Sequence, residues 1–309
     1  MRRSLPTLAF GLALAGAAGF AQPPVPTLPG PPSVAAVKQM FDPWRAPVPP
    51  RHLVANIHYV GAIGVSAYLF TTPEGHILLD TGFDDTVPII QRSVEALGFK
   101  VSDIKIILSS HAHIDHTGGH AAMKRLTGAQ VAASAEDARL LESGGRDDFM
   151  LFPKETIVYE PVKVDRILRD RDTVTLGGTT LTAHLTPGHT RGATTWTMTV
   201  DDGGQPRQVV FFSSASINDG TRLLNNAAYP TIVADLTATF AKLKALPVDF
   251  FFAPHGGQFA MAEKFARLEA GTKPNPFIDP AGFQRTVAQM ERNFLRQLEI
   301  EKAAAAAGK

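Results

Sequence analysis

The sequence contains no cysteine in its 309 residues, so the fold must be stable without disulfide bonds. It also lacks an excess of either charge, since the formal net charge is +1 at pH 7. No run of lysine and arginine residues is visible. A near-neutral chain of this kind gives no reason to expect a nucleic-acid partner.

The sequence also lacks an apolar run long enough to span a membrane. Its longest one, Leu8–Phe20, follows the basic residues Arg2 and Arg3 and ends at small residues around Ala21. This arrangement predicts a signal peptide over residues 1–21 and a periplasmic protein that is free of the membrane after cleavage. The proline-rich segment Gln22–Pro50 predicts an extended, poorly ordered arm, and residues 51–309 predict one catalytic domain.

Metal-binding side chains are concentrated in one short stretch, His111-Ala112-His113-Ile114-Asp115-His116. Two further histidines, His189 and His255, each follow a predicted strand and stand beside glycine or proline. Catalytic zinc is held by three His, Asp, Glu or Cys ligands and one water. Six such residues therefore predict two zinc ions, each with three protein ligands and an open position.

The surrounding residues predict that this stretch lies in a turn between a strand and a helix. Ile104–Leu108 is apolar and β-branched, as in a buried strand, and His120–Leu126 has the composition of a helix. An ordinary polar turn is the alternative, but it accounts poorly for so many ligands at this spacing. We expect the remaining histidines to be surface, strand or supporting residues, and they are His52, His58, His76, His120 and His184.

The pattern resembles the metallo-β-lactamase superfamily, whose signature is His-x-His-x-Asp-His followed by single histidines. The resemblance implies an α/β fold, an αββα sandwich of two mixed sheets with helices on the outer faces. It also implies the ligands of each zinc ion. The first zinc would be bound by His111, His113 and His189, and the second by Asp115, His116 and His255.

A missing carboxylate suggests which branch of the superfamily the chain resembles. The strand predicted at Gln208–Phe212 ends in Ser213–Ser216, where thioesterases, many lactonases and nucleases of the superfamily have a bridging aspartate. Other β-lactamases use cysteine there, and this chain has none. Serine at that position, the segment Thr186–Trp196 and Asn275–Pro280 resemble the B-three subclass of zinc β-lactamases.

The resemblance implies a hydrolase that opens the β-lactam ring of penicillins, cephalosporins and carbapenems. A zinc-bridging hydroxide would attack the lactam carbonyl, with Asp115 orienting it. Ser214 and Ser216 would bind the substrate carboxylate, unless they are strand-end serines that bond to local backbone. Arg191 and Arg222 are weaker candidates for that contact. We expect a small-molecule substrate and a monomeric protein.

Two other functions stay open at this point. One is a different metal-dependent hydrolase of the superfamily, such as a lactonase or a thioester hydrolase. The other is a metal-binding or scavenging protein without turnover. The open coordination that six ligands leave to two ions disfavours the second alternative, because storage and structural sites are usually closed.

Two features near the site carry further expectations. Asp80 follows a predicted strand, and we expect it to orient a ligand histidine rather than to bind metal itself. The loop between Glu142 and Pro161 contains three aromatic residues, Phe149, Phe152 and Tyr159. They either form a lid over the substrate or pack into the domain.

Hydrophobic periodicity and turn residues predict most of the remaining elements. Strands are predicted at Val54–Val60, Gly64–Phe70, His76–Leu79, Gln130–Ser134, Val174–Leu176, Leu181–Leu185, Thr194–Val200, Arg207–Phe212 and Asp249–Ala253. Helices are predicted at Val87–Leu97, Ala135–Leu141, Thr231–Leu246 and Phe283–Lys302.

Overall fold

The computed structural model describes residues 28–307, so the predicted signal peptide lies outside the described residues. Within this range the chain forms two β-sheets that face each other and are covered by helices. No helix of the described residues combines the length and the apolar character needed to cross a membrane.

The first sheet has seven strands, which are neighbours in the order of the chain. They are β1 (Arg51–Val54), β2 (Ile57–Tyr59), β3 (Tyr68–Thr72), β4 (Gly75–Leu79), β5 (Ile104–Leu108), β6 (Gln130–Ser134) and β7 (Arg166–Leu168). Strands β1 to β4 pair antiparallel, whereas β4 to β7 pair parallel. The parallel strands need crossover connections, and helices between them provide these.

The second sheet has five strands in the spatial order β12-β11-β10-β9-β8. They are β8 (Thr173–Leu176), β9 (Thr179–Leu185), β10 (Thr194–Asp201), β11 (Pro206–Phe211) and β12 (Phe250–Phe252). Only the β11–β12 pair is parallel. Both sheets are therefore mixed, as predicted.

Helices cover the outer face of each sheet. They are α1 (Val34–Phe41), α2 (Val87–Ala96), α3 (Ile114–Thr117), α4 (His120–Thr127), α5 (Ala135–Ser143), α6 (Lys154–Ile157), α7 (Ile232–Ala245), α8 (Met261–Glu269) and α9 (Pro280–Ala307). Apolar residues of α2, α4 and α5 pack with the first sheet in one core cluster, and those of α7 and α9 pack with the second sheet in another. The layers follow the order αββα, which confirms the predicted fold class.

Aromatic side chains fill the space between the two sheets. Tyr68 and Phe70 of the first sheet contact Phe211 of the second, with ring centroids 5.0 and 5.1 Å away. All three residues are almost completely buried. Burying one such ring contributes roughly 1.5–3 kcal/mol to folding, so this aromatic layer holds the sheets together without disulfide bonds.

Two predictions about the amino-terminal part are wrong. The single strand predicted over Val54–Val60 is instead a hairpin, because the chain turns at Ala55, whose φ of 49° is left-handed. The extended arm is helical over α1 and continues as a 3-10 turn, Asp42–Arg45. Ser33 is the N-cap of α1, because its hydroxyl accepts a hydrogen bond from the Ala36 N–H. The prediction of an extended arm considered the proline content and overlooked this cap.

The predicted helices and the strands of the second sheet are confirmed within a few residues of their predicted ends. Five short elements were not predicted, namely β1, β7, α1, α6 and α8. Most are too short for periodicity to reveal them, but α8 buries Met261, Lys264 and Phe265 at helical spacing, so its sequence carried a signal that was missed.

Candidate metal centre

The six predicted ligands meet at one edge of the two sheets. His111 and His113 follow the carboxyl end of β5, His189 follows β9, and His255 follows β12. Asp115 and His116 lie on α3, which starts directly after His113. The strand-to-helix turn predicted for this stretch is confirmed, and the location agrees with the habit of α/β folds to place sites at the carboxyl ends of strands.

His111, His113 and His189 form the first group. One ligand atom of each lies within 4.8 Å of the other two. Their rings are packed edge to face, with centroids 4.6 to 4.9 Å apart. All three are buried, so the nitrogens that face each other are shielded from water.

In two of these rings, hydrogen bonds determine which nitrogen atom points toward the other ligands. His189 donates from Nδ1 to the Ser216 carbonyl at 2.8 Å, and His111 Nδ1 lies 3.2 Å from the Ser110 hydroxyl. Their Nε2 atoms are therefore free for a metal. His113 is oriented the other way, because its Nε2 lies 3.2 Å from Asp148 Oδ2, which leaves Nδ1 as the ligand atom.

Asp115, His116 and His255 form the second group. His116 Nε2 is 3.0 Å from Asp115 Oδ2 and 3.2 Å from His255 Nε2, and His255 Nε2 is 3.6 Å from the same carboxylate oxygen. Ligand atoms at the usual zinc distances in a tetrahedral shell lie about 3.3 Å from one another. The second group therefore has the spacing that a tetrahedral zinc requires.

Buried carboxylates support both groups from behind. Asp80, which has a left-handed φ of 64°, accepts hydrogen bonds from the Ser110 N–H and hydroxyl at 2.6 and 2.7 Å. Its Oδ2 also lies 3.6 Å from His116 Nδ1. Asp80 thus lies behind the ligands and orients them, as predicted, and is not part of either group.

Asp137, on α5, was not predicted to have a role. It accepts hydrogen bonds from the Ala112 N–H at 3.0 Å and from the Gly192 N–H at 3.1 Å. Gly192 has no room for a side chain, since a Cβ would lie 2.2 Å from Ser134 Oγ and 2.4 Å from Asp137 N. The carboxylate therefore ties the loop of His111 and His113 to the loop of His189.

The histidine ligands of the two groups differ in their affinity for protons. Burial and the neighbouring imidazoles hold the pKa of His111 well below its usual value, and burial followed by His113 lowers the pKa of His189 to about 3. Burial alone would raise the pKa of Asp115, but His116 and His255 hold it below the usual value. Burial opposes a charged His113, but Asp148 raises its pKa; burial likewise opposes a charged His116, but Asp115 and Asp80 raise its pKa. A metal ion would therefore compete with protons for these two imidazoles.

An unpaired nitrogen atom in the first group also indicates that these residues fit a metal ion. The Nε2 atom of His111 is buried and has no hydrogen-bond partner among the described residues. An unpaired buried polar atom is costly, and a bound cation would satisfy it. Three imidazoles in the first group and two imidazoles with a carboxylate in the second are ligand sets that zinc prefers.

A cavity of about 310 Å³ opens beside the two groups. Its apolar wall is formed mainly by the side chains Met40, Phe41, Trp44, Ile114, Met150, Phe152 and Ile217. Its polar wall includes Ser216, Asn218 and Asp219. The volume lies in the range of small-molecule sites.

Ser216 and Ser214 occupy different depths. Ser216 lines the cavity, and its hydroxyl lies 3.1 Å from His189 Nδ1. Ser214 is buried, and its hydroxyl lies 3.1 Å from that of Ser216. A role of both in binding a substrate carboxylate stays a prediction, and the geometry favours Ser216 as the residue in direct contact.

The other predicted contacts divide between the cavity and the rest of the fold. Phe152 lines the cavity, but Tyr159 is buried and donates to the Ala112 carbonyl at 2.8 Å, so it cannot act as a lid. Phe149 packs against Tyr229 with ring centroids 4.9 Å apart. Arg191 also packs on Tyr229, 5.2 Å from the ring, and does not line the cavity.

The remaining histidines stay outside both groups, as expected. His120, the nearest of them in sequence, is buried between the hydroxyl groups of Thr81 and Ser109, at 2.7 and 3.0 Å. Arg222 lines a different cavity, beside α9. The contributions of Trp44, Asp137 and Asp148 were missed, because none of them stands in a motif that is local in sequence.

Comparison with known proteins agrees with this geometry. The family model described as the metallo-β-lactamase superfamily matches residues 60–255. The metallo-β-lactamase FEZ-1 from Legionella gormanii is 39% identical, with a TM-score of 0.81 over 83% of this chain and 98% of that chain. BJP-1, a subclass B3 metallo-β-lactamase of Bradyrhizobium japonicum, is 43% identical, with a TM-score of 0.80 over 85% of this chain and 98% of that chain.

Curated relatives match over shorter stretches. A hydroxyacylglutathione hydrolase of Anaeromyxobacter dehalogenans is 38% identical over 87 residues, which are 28% of this chain and 26% of that protein. The chain spans 40% and 34% of the length of two further relatives.

Proposed function

Because the chain belongs to the metallo-β-lactamase superfamily, we propose that it is a zinc-dependent β-lactamase acting on penicillins, cephalosporins and carbapenems. Hydrolase chemistry is common to its relatives, and the choice of a β-lactam substrate is the proposal. The observation that carries it is the serine pair Ser214 and Ser216 beside a centre of six ligands. A bridging carboxylate would otherwise occupy the position of Ser214, as the resemblance implies for thioesterases and lactonases.

The first group would hold one zinc ion through His111, His113 and His189, and the second would hold another through Asp115, His116 and His255. When bound, zinc polarises a carbonyl under attack and lowers the pKa of a coordinated water toward neutrality. The protein supplies the geometry, because each histidine ligand has a partner behind it, which is the Ser110 hydroxyl, Asp148, Asp80 or a backbone carbonyl.

The cavity would orient the substrate. Ser216 presents a hydroxyl on its polar wall, suited to a carboxylate on the lactam ring system. Met150, Phe152 and Trp44 offer an apolar surface for the substituents of the ring. Asp115 lies nearly buried, at the junction of the cavity and the second group, where it can hold and orient the attacking group. No protein nucleophile is needed for this arrangement.

Further features belong to the same proposal. The basic and apolar residues before Ala21 support export to the periplasm and removal of the segment 1–21. The partner would be a small-molecule substrate, and the protein would act as a monomer. The runner-up function is a thioester hydrolase or lactonase, which the short match to a hydroxyacylglutathione hydrolase favours.

Steady-state kinetics on five compounds test the proposal. The purified protein, loaded with zinc, is assayed with a penicillin, a cephalosporin, a carbapenem, an acyl-homoserine lactone and a glutathione thioester. We expect kcat/KM to be higher for the β-lactams than for the other two by at least tenfold, and activity to disappear in chelator and return with zinc. A preference for the thioester or the lactone would reject the β-lactamase function and support the runner-up.

A further inference from the structure

We propose that Trp44, on the N-terminal arm, is a positioning residue for the second metal group. The inference concerns how His255 is held and rests on the metal centre of the proposed function, but not on the identity of its substrate. Its basis is a direct ring contact together with a backbone link between the arm and the carbonyl group that orients His255.

The ring contact is close. The indole of Trp44 and the imidazole of His255 have centroids 4.7 Å apart and planes inclined by 53°. Even with Trp44 beside it, His255 is the most exposed ligand of the second group, with 21% of its side chain accessible compared with 0% for His116 and 8% for Asp115. Trp44 therefore packs against the ligand that the fold encloses least.

The backbone link runs through Gly64. Its N–H donates to the Trp44 carbonyl at 3.1 Å, and its own carbonyl accepts from His255 Nδ1 at 3.0 Å. This hydrogen bond fixes the tautomer that leaves Nε2 of His255 free for a metal. A Cβ on Gly64 would lie 2.4 Å from Trp44 Cβ, so only glycine lets the arm approach this closely.

The arm is also anchored independently of the indole. Phe41 packs on Phe83 with ring centroids 5.2 Å apart, and the Arg45 guanidinium lies 3.8 Å above the same ring. Arg45 also pairs with Asp85 at 3.1 Å, and Val37 is fully buried. Removing the indole alone should therefore leave the arm docked, and its effect should fall on His255.

A role as a positioning residue differs from a role as cavity wall in a measurable way. A residue that only contacts substrate changes KM and leaves metal binding unchanged. A residue that holds His255 changes the affinity for the second metal ion. Contacts that support a metal ligand typically change metal affinity by about 10–100-fold when lost. We expect the lower end of this range, because the Gly64 carbonyl remains.

The test measures the two stepwise metal dissociation constants of the full protein by Co²⁺ titration and by zinc competition with a chelator. The variants are Trp44→Ala, Trp44→Phe and, as a matched control, Phe152→Ala, which removes another aromatic residue of the same cavity. We expect Trp44→Ala to raise the Kd of the second ion about tenfold and to leave the first within twofold. Trp44→Phe should recover most of the affinity, and Phe152→Ala should change neither constant.

Circular dichroism and urea unfolding of each apo variant verify that the fold is intact. Unchanged constants in Trp44→Ala would overturn the proposal and make Trp44 a cavity wall only. An equal loss at both sites, or an equal loss in Phe152→Ala, would also overturn it, because the effect would then not pass through His255. Since none of these readouts uses a substrate, they are separate from any failure of the β-lactamase proposal.

Discussion

Replacing Asp137 with alanine should loosen both loops that carry the first group of histidines. The Asp137 carboxylate accepts from the Ala112 N–H, between His111 and His113, and from the Gly192 N–H, three residues after His189. The side chain is 2% exposed, so water cannot replace it without rearrangement. The variant leaves two buried donors without an acceptor.

The expected loss can be worked out from those two bonds. A buried donor left without a partner costs about 1–3 kcal/mol, so two cost about 2–6 kcal/mol. Burial raises the pKa of Asp137 to about 7. Its neutral and ionised forms both keep a lone pair on each oxygen, so the hydrogen bonds are present on either side of that pH. Domains are usually stable by about 5–15 kcal/mol, so the variant should still fold.

Urea unfolding of the metal-free protein measures the loss, and chelator competition measures the affinity for the first zinc ion. Glu136→Ala is the matched control, because Glu136 is the preceding residue and, among residues 28–307, its side chain makes a surface ion pair with Arg139, at 3.6 Å, and no hydrogen bond to either loop. The control should lose less than about 1 kcal/mol. Asp137→Ala should also lower the affinity for the first zinc ion by about 10–100-fold. A loss below about 1 kcal/mol with unchanged zinc affinity would show that other contacts hold the two loops.

Three further predictions concern the ligands and the acid stability. Elemental analysis of the zinc-replete protein should give two zinc ions per chain, and His255→Ala should lose the second ion selectively; one ion or none in the parent protein would contradict this. Asp115→Ala should lower kcat by roughly a hundredfold or more, because metal binding and orientation fail together; near-normal turnover would place the orienting group elsewhere. Burial, followed by His52 and His76, lowers the pKa of His58 to about 4. The unfolded state therefore binds a proton more readily than the folded state. As the pH falls from 6.5 toward 4, the free energy of unfolding should decrease by at most about 3 kcal/mol because of this residue. Urea unfolding of the parent and of His58→Gln over this range should show a shallower loss in the variant, and parallel curves would reject the assignment.

Features that depend on neighbours in the chain could be predicted from the sequence. The stretch from His111 to His116 has its ligands, its preceding strand and its following helix within a few turns of backbone, and local spacing and periodicity predict such units. The strands from β8 to β11 and the helices α7 and α9 were predicted for the same reason. The two groups of three ligands were predicted only with the help of the family resemblance, because His189 and His255 are far from the motif.

Contacts between distant segments could not be predicted from the sequence, because they form only when the chain folds. Asp137 is 25 residues from Ala112 and 55 from Gly192, and the carbonyl that orients His255 is 191 residues away from it. Nothing in the local pattern shows that Trp44 of the proline-rich arm contacts His255, or that Tyr159 is buried while Phe152 of the same loop lines the cavity. Such contacts arise only when the sheets pack and bring loop ends together, since the burial and bonding of a side chain depend on what the fold places beside it.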